Sequence, residues 1–399
     1  MHLLPTNPAI RGILWPTMDR RTRARRLASL LAASVVLTGT LAAQRVWIVD
    51  AQQRTGFDFA DLPAALNAAA PGDVIRMLPA PTPYTPATLS KGVTILGSRM
   101  TFQTSWLIRN IPAGQRLTLV DVVSANADQT LRIELRNNQG EIVLDGCRSM
   151  DPTPTLPVAS SALIVEDCAS VSMRRCQAWG SPALAVVRST LRTSECTWNA
   201  VDVAPVVAVA ATDANVTFAQ PSITGHLRPG IDATRTALVL TGDGPAYVQG
   251  GGPTTPTAAV QTNGGTVAHD TFLALNPFFP GPSFGGTAVV TTRTIPFTLG
   301  STLFRGGQLQ FDVAAPSGSQ ASILLGVPGP AVPTPFGDLL LDPRVLVPLI
   351  TAPVPGTRRV TFRAPVPTSV GFGVTLAIQG VVVENGVLLL STRTTVTTR

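Results

Sequence analysis

Charge is scarce in this chain: only 13% of its 399 residues are Asp, Glu, Lys or Arg, aromatics make up 5%, and there are three histidines and four cysteines. Each shortage excludes something. His2, His226 and His269 stand apart from one another and no Cys-x-x-Cys pair occurs, so no metal site is expected. No serine triad is expected, since the one Gly-x-Ser-x-Gly match, Gly281-Pro282-Ser283-Phe284-Gly285, runs into no predicted helix. Gly250-Gly251-Gly252 leads into neither a helix nor a lysine, so it is read as a corner and not as a phosphate cradle. Beyond Leu41 no apolar stretch approaches the roughly 20 residues that cross a bilayer, so no transmembrane segment is expected after a leader is removed.

The formal net charge of +7 would suggest a nucleic-acid partner, but its location argues otherwise. Arg11, Arg20, Arg21, Arg23, Arg25 and Arg26 lie within the first 26 positions, and from Gln44 onward 24 basic residues face 22 acidic ones. No nucleic-acid partner is expected for so balanced a body. The early arginines run into the apolar stretch Leu27 to Leu41 and then Ala42-Ala43, the layout of a secretory signal. Residues 1–43 are therefore expected to be a signal peptide, with Met18 as an alternative start. The mature protein is expected to be secreted or held at the cell surface.

What the chain has in quantity is turn formers, with 34 Gly and 35 Pro, beside 45% hydrophobic residues. That balance favours many short extended segments over long helices, an all-β composition. Five segments repeat one pattern: ALIVEDCASVSMRRC from Ala162, ALAVVRSTLRTSEC from Ala183, VVAVAATDANVTFAQPS from Val206, ALVLTGDGPAYVQGG from Ala237 and AAVQTNGGTVAHD from Ala258. Their spacing of about 21 to 31 residues fits successive turns of a solenoid, in which strands pair above and below and inward residues form ladders. Leu163, Val165, Val171, Met173, Leu184, Val186 and Leu191 are the predicted inward positions. Cys176 and Cys196 fall at equivalent places, with Cys147 one coil earlier; a stacked row is expected, with a disulfide between neighbours as the other reading.

Ahead of the repeats, Val49-Asp50, Phe57-Asp58-Phe59, an alanine-rich helix predicted over Phe59 to Ala70, Pro71-Gly72-Asp73-Val74-Ile75 and Lys91-Gly92-Val93-Thr94-Ile95-Leu96-Gly97 resemble the opening of right-handed parallel β-helix proteins of the pectin-lyase-like superfamily. The resemblance covers about fifty residues. It implies that the short helix plugs the N-terminal end of the coil, and that the fold is one on which many families cleave or bind polysaccharide. The expected architecture is all-β: a β-helix over 44–271, then an antiparallel β-sandwich over 272–399. The boundary is placed where Asn276-Pro277-Phe278-Phe279-Pro280 breaks the repeat. The second part is loosely similar to C-terminal sandwich modules of exported bacterial proteins, which implies attachment or stability.

Polysaccharide cleavage requires a carboxylate pair, or carboxylates holding Ca2+, with an arginine to meet a sugar acid. Weak catalytic candidates are Asp145, Asp167, Arg175, Arg192 and Glu195, with Glu166 and Arg174 beside them. Trp179 and Trp198, next to equivalent cysteines, are expected to stack on adjacent coils and to bind a glycan with Arg175 and Glu195. The sequence thus predicts an exported structural or adhesive protein that contacts polysaccharide without turnover and needs no cofactor. The alternative is a polysaccharide lyase or glycoside hydrolase, the one case in which Ca2+ is expected.

Overall fold

The computed structural model of the chain describes residues 44–85, 87–102, 105–124, 132–150, 161–201, 205–251, 256–277 and 281–399; the signal peptide expected over 1–43, Met18 included, lies outside them. Residues Gln44–Arg399 form one compact unit. Its body is a right-handed parallel β-helix of about eight turns, and antiparallel sheets follow at the C-terminal side.

The opening behaves as its residues suggest. Asp61 caps the helix Leu62–Ala68 by accepting from the Leu62 amide, Pro63 sits in the first turn, and Lys91 donates to the carbonyls of Leu66 and Ala69 at the other end. Leu62, Ala65 and Leu66 are buried against the first rungs. The helix is shorter than predicted because Phe59 and Asp58 are drawn into hydrogen bonds with Ile48 and Asp50, and Phe59 packs on Trp47 with ring centroids 5.3 Å apart.

Each turn of the coil presents three strands, as in Leu163–Glu166, Ser170–Arg174 and Gln177–Gly180. Stacking these in register gives three parallel sheets, called here first, second and third in that order. Leu163 sits on Ile133 and under Leu184, Val171 on Ile142 and under Leu191. Because side chains alternate across a strand, one residue in two points inward. All seven predicted inward residues are buried.

Two corners of most turns carry one residue in the left-handed region. Asn110, Asn137, Asp167, Arg188, Asp213 and Arg235 form the row between first and second sheets; Asp121, Gly146, Arg175, Glu195 and Gln220 form the row between second and third. The residue after each corner turns inward. In the second row this brings Cys147, Cys176 and Cys196 into a buried ladder of free thiols, so the stacked reading holds and the disulfide does not form. Cys168 belongs to the other corner, where Asn138 donates to it at 3.4 Å.

Three sequence expectations shift. The segment from Ala237 was aligned with Leu163 and Leu184 of the first sheet, yet Ala237–Thr241 pairs with Asn215–Ala219 of the second. The true first-sheet strand of that turn is Ile231–Thr234, joined to it without a break through Arg235. Second, the parallel pairing does not stop at Thr271: Phe284–Gly286 and Val289–Arg293 add another rung, so the boundary lies later than the sequence suggests. Third, Val381 to Leu390 is not one strand. Asn385 and Gly386, both with positive φ, turn the chain between Thr375–Glu384 and Val387–Thr397.

After Arg293 the chain builds a three-stranded antiparallel sheet from Phe297–Gly300, Gln308–Ala314 and Arg359–Pro365. A four-stranded one contains Gln320–Gly326, Val347–Pro353, Thr375–Glu384 and Val387–Thr397. These sheets fold back along the outer side of the second sheet of the coil. Small apolar contacts hold both extremities: Ala219 against Phe297, Leu299 and Ala314, and Val74, Leu96 and Val120 against Phe372. No helix among the described residues is long and apolar enough to cross a membrane.

Candidate functional site

The docking of the sandwich decides what the predicted site residues can do. In the outward row of the second sheet, Asp145 and Arg174 are register partners, and both are covered. Arg174 reaches Asp145 at 2.6 Å and donates to the carbonyls of Ser301, at 2.8 Å, and Gly300. Arg175 binds the other oxygen of Asp145 at 2.9 Å and the hydroxyl of Thr302. Arg399 reaches back to Asp121, with a second nitrogen 3.6 Å from Asp145. Burial alone would raise the Asp145 carboxyl, but the guanidiniums of Arg174, Arg175 and Arg399 outweigh it and hold the group below the usual range. A Cβ at Gly146 would meet Asp121 Oδ1 at 2.5 Å, so a larger residue there would displace that carboxylate from its place beside Arg399. Asp145 and Arg175 are thus seam residues between coil and sandwich, not the lining of an open groove.

Arg192 lies in the same outward face, half-buried under the sandwich; burial and the neighbouring Arg393 push its pKa down to about 10. Asp167 is elsewhere. It occupies the first corner row, in a bidentate pair with Arg188 at 2.7 and 2.8 Å, and Glu166 bridges Arg136 and Arg188. The carboxylates expected to share one groove are therefore split between two corners, a whole second-sheet strand apart.

The tryptophans are not a pair. Trp198 stands in register with Ala178 and Ile223 in the inward row and is 0% exposed, whereas Trp179 is in register with Asn199 and points outward. The cysteine-based alignment was off by one residue, and one residue inverts the face of a strand.

Two of the predicted set line cavities: Asp167 one of about 310 Å³ in the first corner row, beside Arg188 and Asp213, and Glu195 another at the seam. The seam cavity, of about 720 Å³, lies where the second corner row meets the sandwich, lined among others by Glu195, Gln220, Asp243, Phe272, Arg358 and Arg359. Its two sides are joined by Arg359, whose Nε lies 3.0 Å from Asp243 Oδ2. The Gln220 side chain donates to the Asp243 carbonyl at 2.8 Å and accepts from the Asp243 amide at 3.1 Å. Phe272, 48% exposed, has the Arg358 guanidinium carbon over its ring, 3.1 Å from the centre. Among the described residues Arg358 makes no ion pair, and its Nε has no hydrogen-bond partner. One Glu195 oxygen is likewise buried and unpartnered; burial lifts this carboxyl above the ordinary range, with Arg174, Arg175 and Arg359 opposing.

Phe272, Asp243, Gln220, Arg358 and Arg359 were not legible as a site. The signal available was the turn Pro355-Gly356-Thr357-Arg358, which ends in an arginine of positive φ, but nothing in the sequence said which coil it would meet. Among the described residues no three His, Cys, Asp or Glu side chains converge to hold a metal ion. No protein-family model matches this chain, and no curated protein matches it either.

Proposed function

We propose that this is an exported adhesive protein that holds a glycan, without turnover, in the cleft between β-helix and sandwich. The observation that carries the reading is the exposed Phe272 ring with the unpaired Arg358 laid across it, above a rim of Gln220, Ser222 and Thr197. An apolar ring accepts the C–H face of a sugar, and surrounding amides, hydroxyls and a guanidinium fix its hydroxyl groups. Export is supported by the arginine-rich leader and its apolar run.

The lyase or hydrolase alternative needs two free carboxylates, or a carboxylate set for Ca2+. In the cleft Asp243 is committed to Arg359, which leaves Glu195 as a single acid. Binding therefore suits the residues better than cleavage does.

Affinity electrophoresis of the purified protein through a panel of neutral and acidic polysaccharides tests this, with parallel assays for new reducing ends and unsaturated products. Retardation by at least one polysaccharide is expected, without products, and F272A should weaken it about tenfold, as removal of a central aromatic contact does. Clear turnover, or retardation indifferent to F272A, would overturn the reading.

A further inference from the structure

The two ends of the coil are finished differently. At the N-terminal end the first strand, Val46–Val49, has its outer edge occupied: Asp58 and Phe59 donate to the Ile48 carbonyl, the Asp58 carboxylate accepts from the Ile48 amide at 2.8 Å, and the Asp50 amide donates to Phe59. The helix Leu62–Ala68 lies over the core there. At the other end nothing comparable is present among the described residues. Val289–Arg293, Phe284–Gly286 and Ala274–Asn276 each pair with a strand on one side only. Every residue of Val289–Arg293 is exposed. Val290 continues an inward row whose earlier members Val216, Leu238 and Val267 are each 1% exposed, yet it is itself 40% exposed, and Val289 beside it is 68% exposed.

Such an edge is a template for another strand, and natural proteins usually protect it with proline, lysine or an inward charge. Val289 to Thr292 contain none of these. We propose that this rung is an interface for a second copy of the chain, formed by antiparallel pairing of Val289–Arg293 about a two-fold axis through Thr291. Head-to-tail stacking would press the open rung onto an end whose edge is already filled, so the contact closes as a dimer and does not propagate as a fibre.

Charge agrees with this occupant. The only charge on the strand, Arg293, is at its end, so the two copies of it stand four residues apart in the antiparallel pair, about 14 Å. That exceeds a screening length of about 8 Å at physiological salt, and the paired centre is β-branched on both sides. Val289 faces Arg293 of the other copy, Val290 faces Thr292, and Thr291 faces itself.

Sedimentation velocity of the full chain, from micromolar to about 100 µM, is the test. A concentration-dependent dimer is expected. V289K places a like charge opposite Arg293 twice over and should raise the dissociation constant about tenfold or more, whereas V289E at the same exposed site should keep or tighten the dimer and make it salt-sensitive. T291C should give an interchain disulfide with oxidised glutathione, since directly opposed residues lie within bridging distance. A monomeric wild type, or a dimer that V289K and V289E leave alike, would overturn the proposal; the latter would assign association to another surface or to a different partner for this edge.

Discussion

Arg174 and Asp145 stand on adjacent rungs of the coil, 2.6 Å apart and each 1% exposed, with the carbonyls of Gly300 and Ser301 closing over the guanidinium. Two charges are thereby removed from water at the centre of the seam, where the sandwich contributes acceptors and Arg399, and the coil contributes Asp145, Arg174 and Arg175. A pair so placed is costly to break and unremarkable to replace.

D145A should therefore destabilise the protein by about 3–5 kcal/mol, since Arg174 would remain buried without its counter-ion. The double replacement D145L/R174M should recover most of that loss. Urea unfolding of D145L, R174M, the double variant and wild type, read as a double-mutant cycle, measures the coupling, with D145A alongside. Additive losses would show that the two residues act apart.

Glu195 gives a pH dependence whose sign can be worked out. Its folded carboxyl titrates above the unfolded value of about 4.3, so the folded state binds the proton more tightly. The stability it contributes is full below that value and is lost as pH rises through the folded pKa. E195Q should thus raise the melting temperature relative to wild type at pH 7–8, by an amount that shrinks towards pH 4. Asp145 runs the other way: its folded carboxyl is depressed, and its contribution is lost as pH falls through that lower value. A Tm difference for E195Q that is flat with pH would contradict the assignment.

The thiol ladder predicts a reactivity pattern. Cys147 is held above the ordinary thiol range by the Cys176 contact and by burial, and Cys176 by burial first. The thiolate is the reacting form, so all four buried cysteines should resist a chromogenic disulfide reagent in the native protein and titrate fully in denaturant. Fast labelling of any one of them under native conditions would show that its corner opens locally.

The two tryptophans should separate cleanly on substitution. W198A empties a site inside the coil and should cost about 3–5 kcal/mol, whereas W179A removes an outward side chain and should cost less than about 1 kcal/mol. Thermal unfolding of both checks the assignment of faces.

Much of the coil was readable because its signal is periodic. Leu163, Val171, Leu184 and Leu191 recur at a spacing set by the perimeter of one turn, and each rung must bury them against the next. Asp61, Pro63 and the alanines marked the capping helix. The errors arose where a local pattern was ambiguous by one strand or one residue, as at Ala237 and Trp198, because an apolar alternation does not say which of three sheets it belongs to. The cleft was illegible for a different reason. Arg358 and Arg359 meet Phe272 and Asp243 only through the docking of one antiparallel layer on one face of the coil, a long-range choice that no spacing encodes.

The three corners of the coil also differ in how they tolerate change. Two carry one left-handed residue in most turns, Asp167 or Arg188 in one row and Arg175 or Glu195 in the other. The third joins Gly180 to Leu184 directly in one turn, but Gln249 to Val260 by a much longer path in another. Length is adjusted at the first corner too, since Arg109 to Leu117 takes up the same span as Val187 to Leu191, but most freely along this third edge. New segments could be spliced there, one turn at a time, while the ladders inside and the layer docked on the opposite side keep their registers.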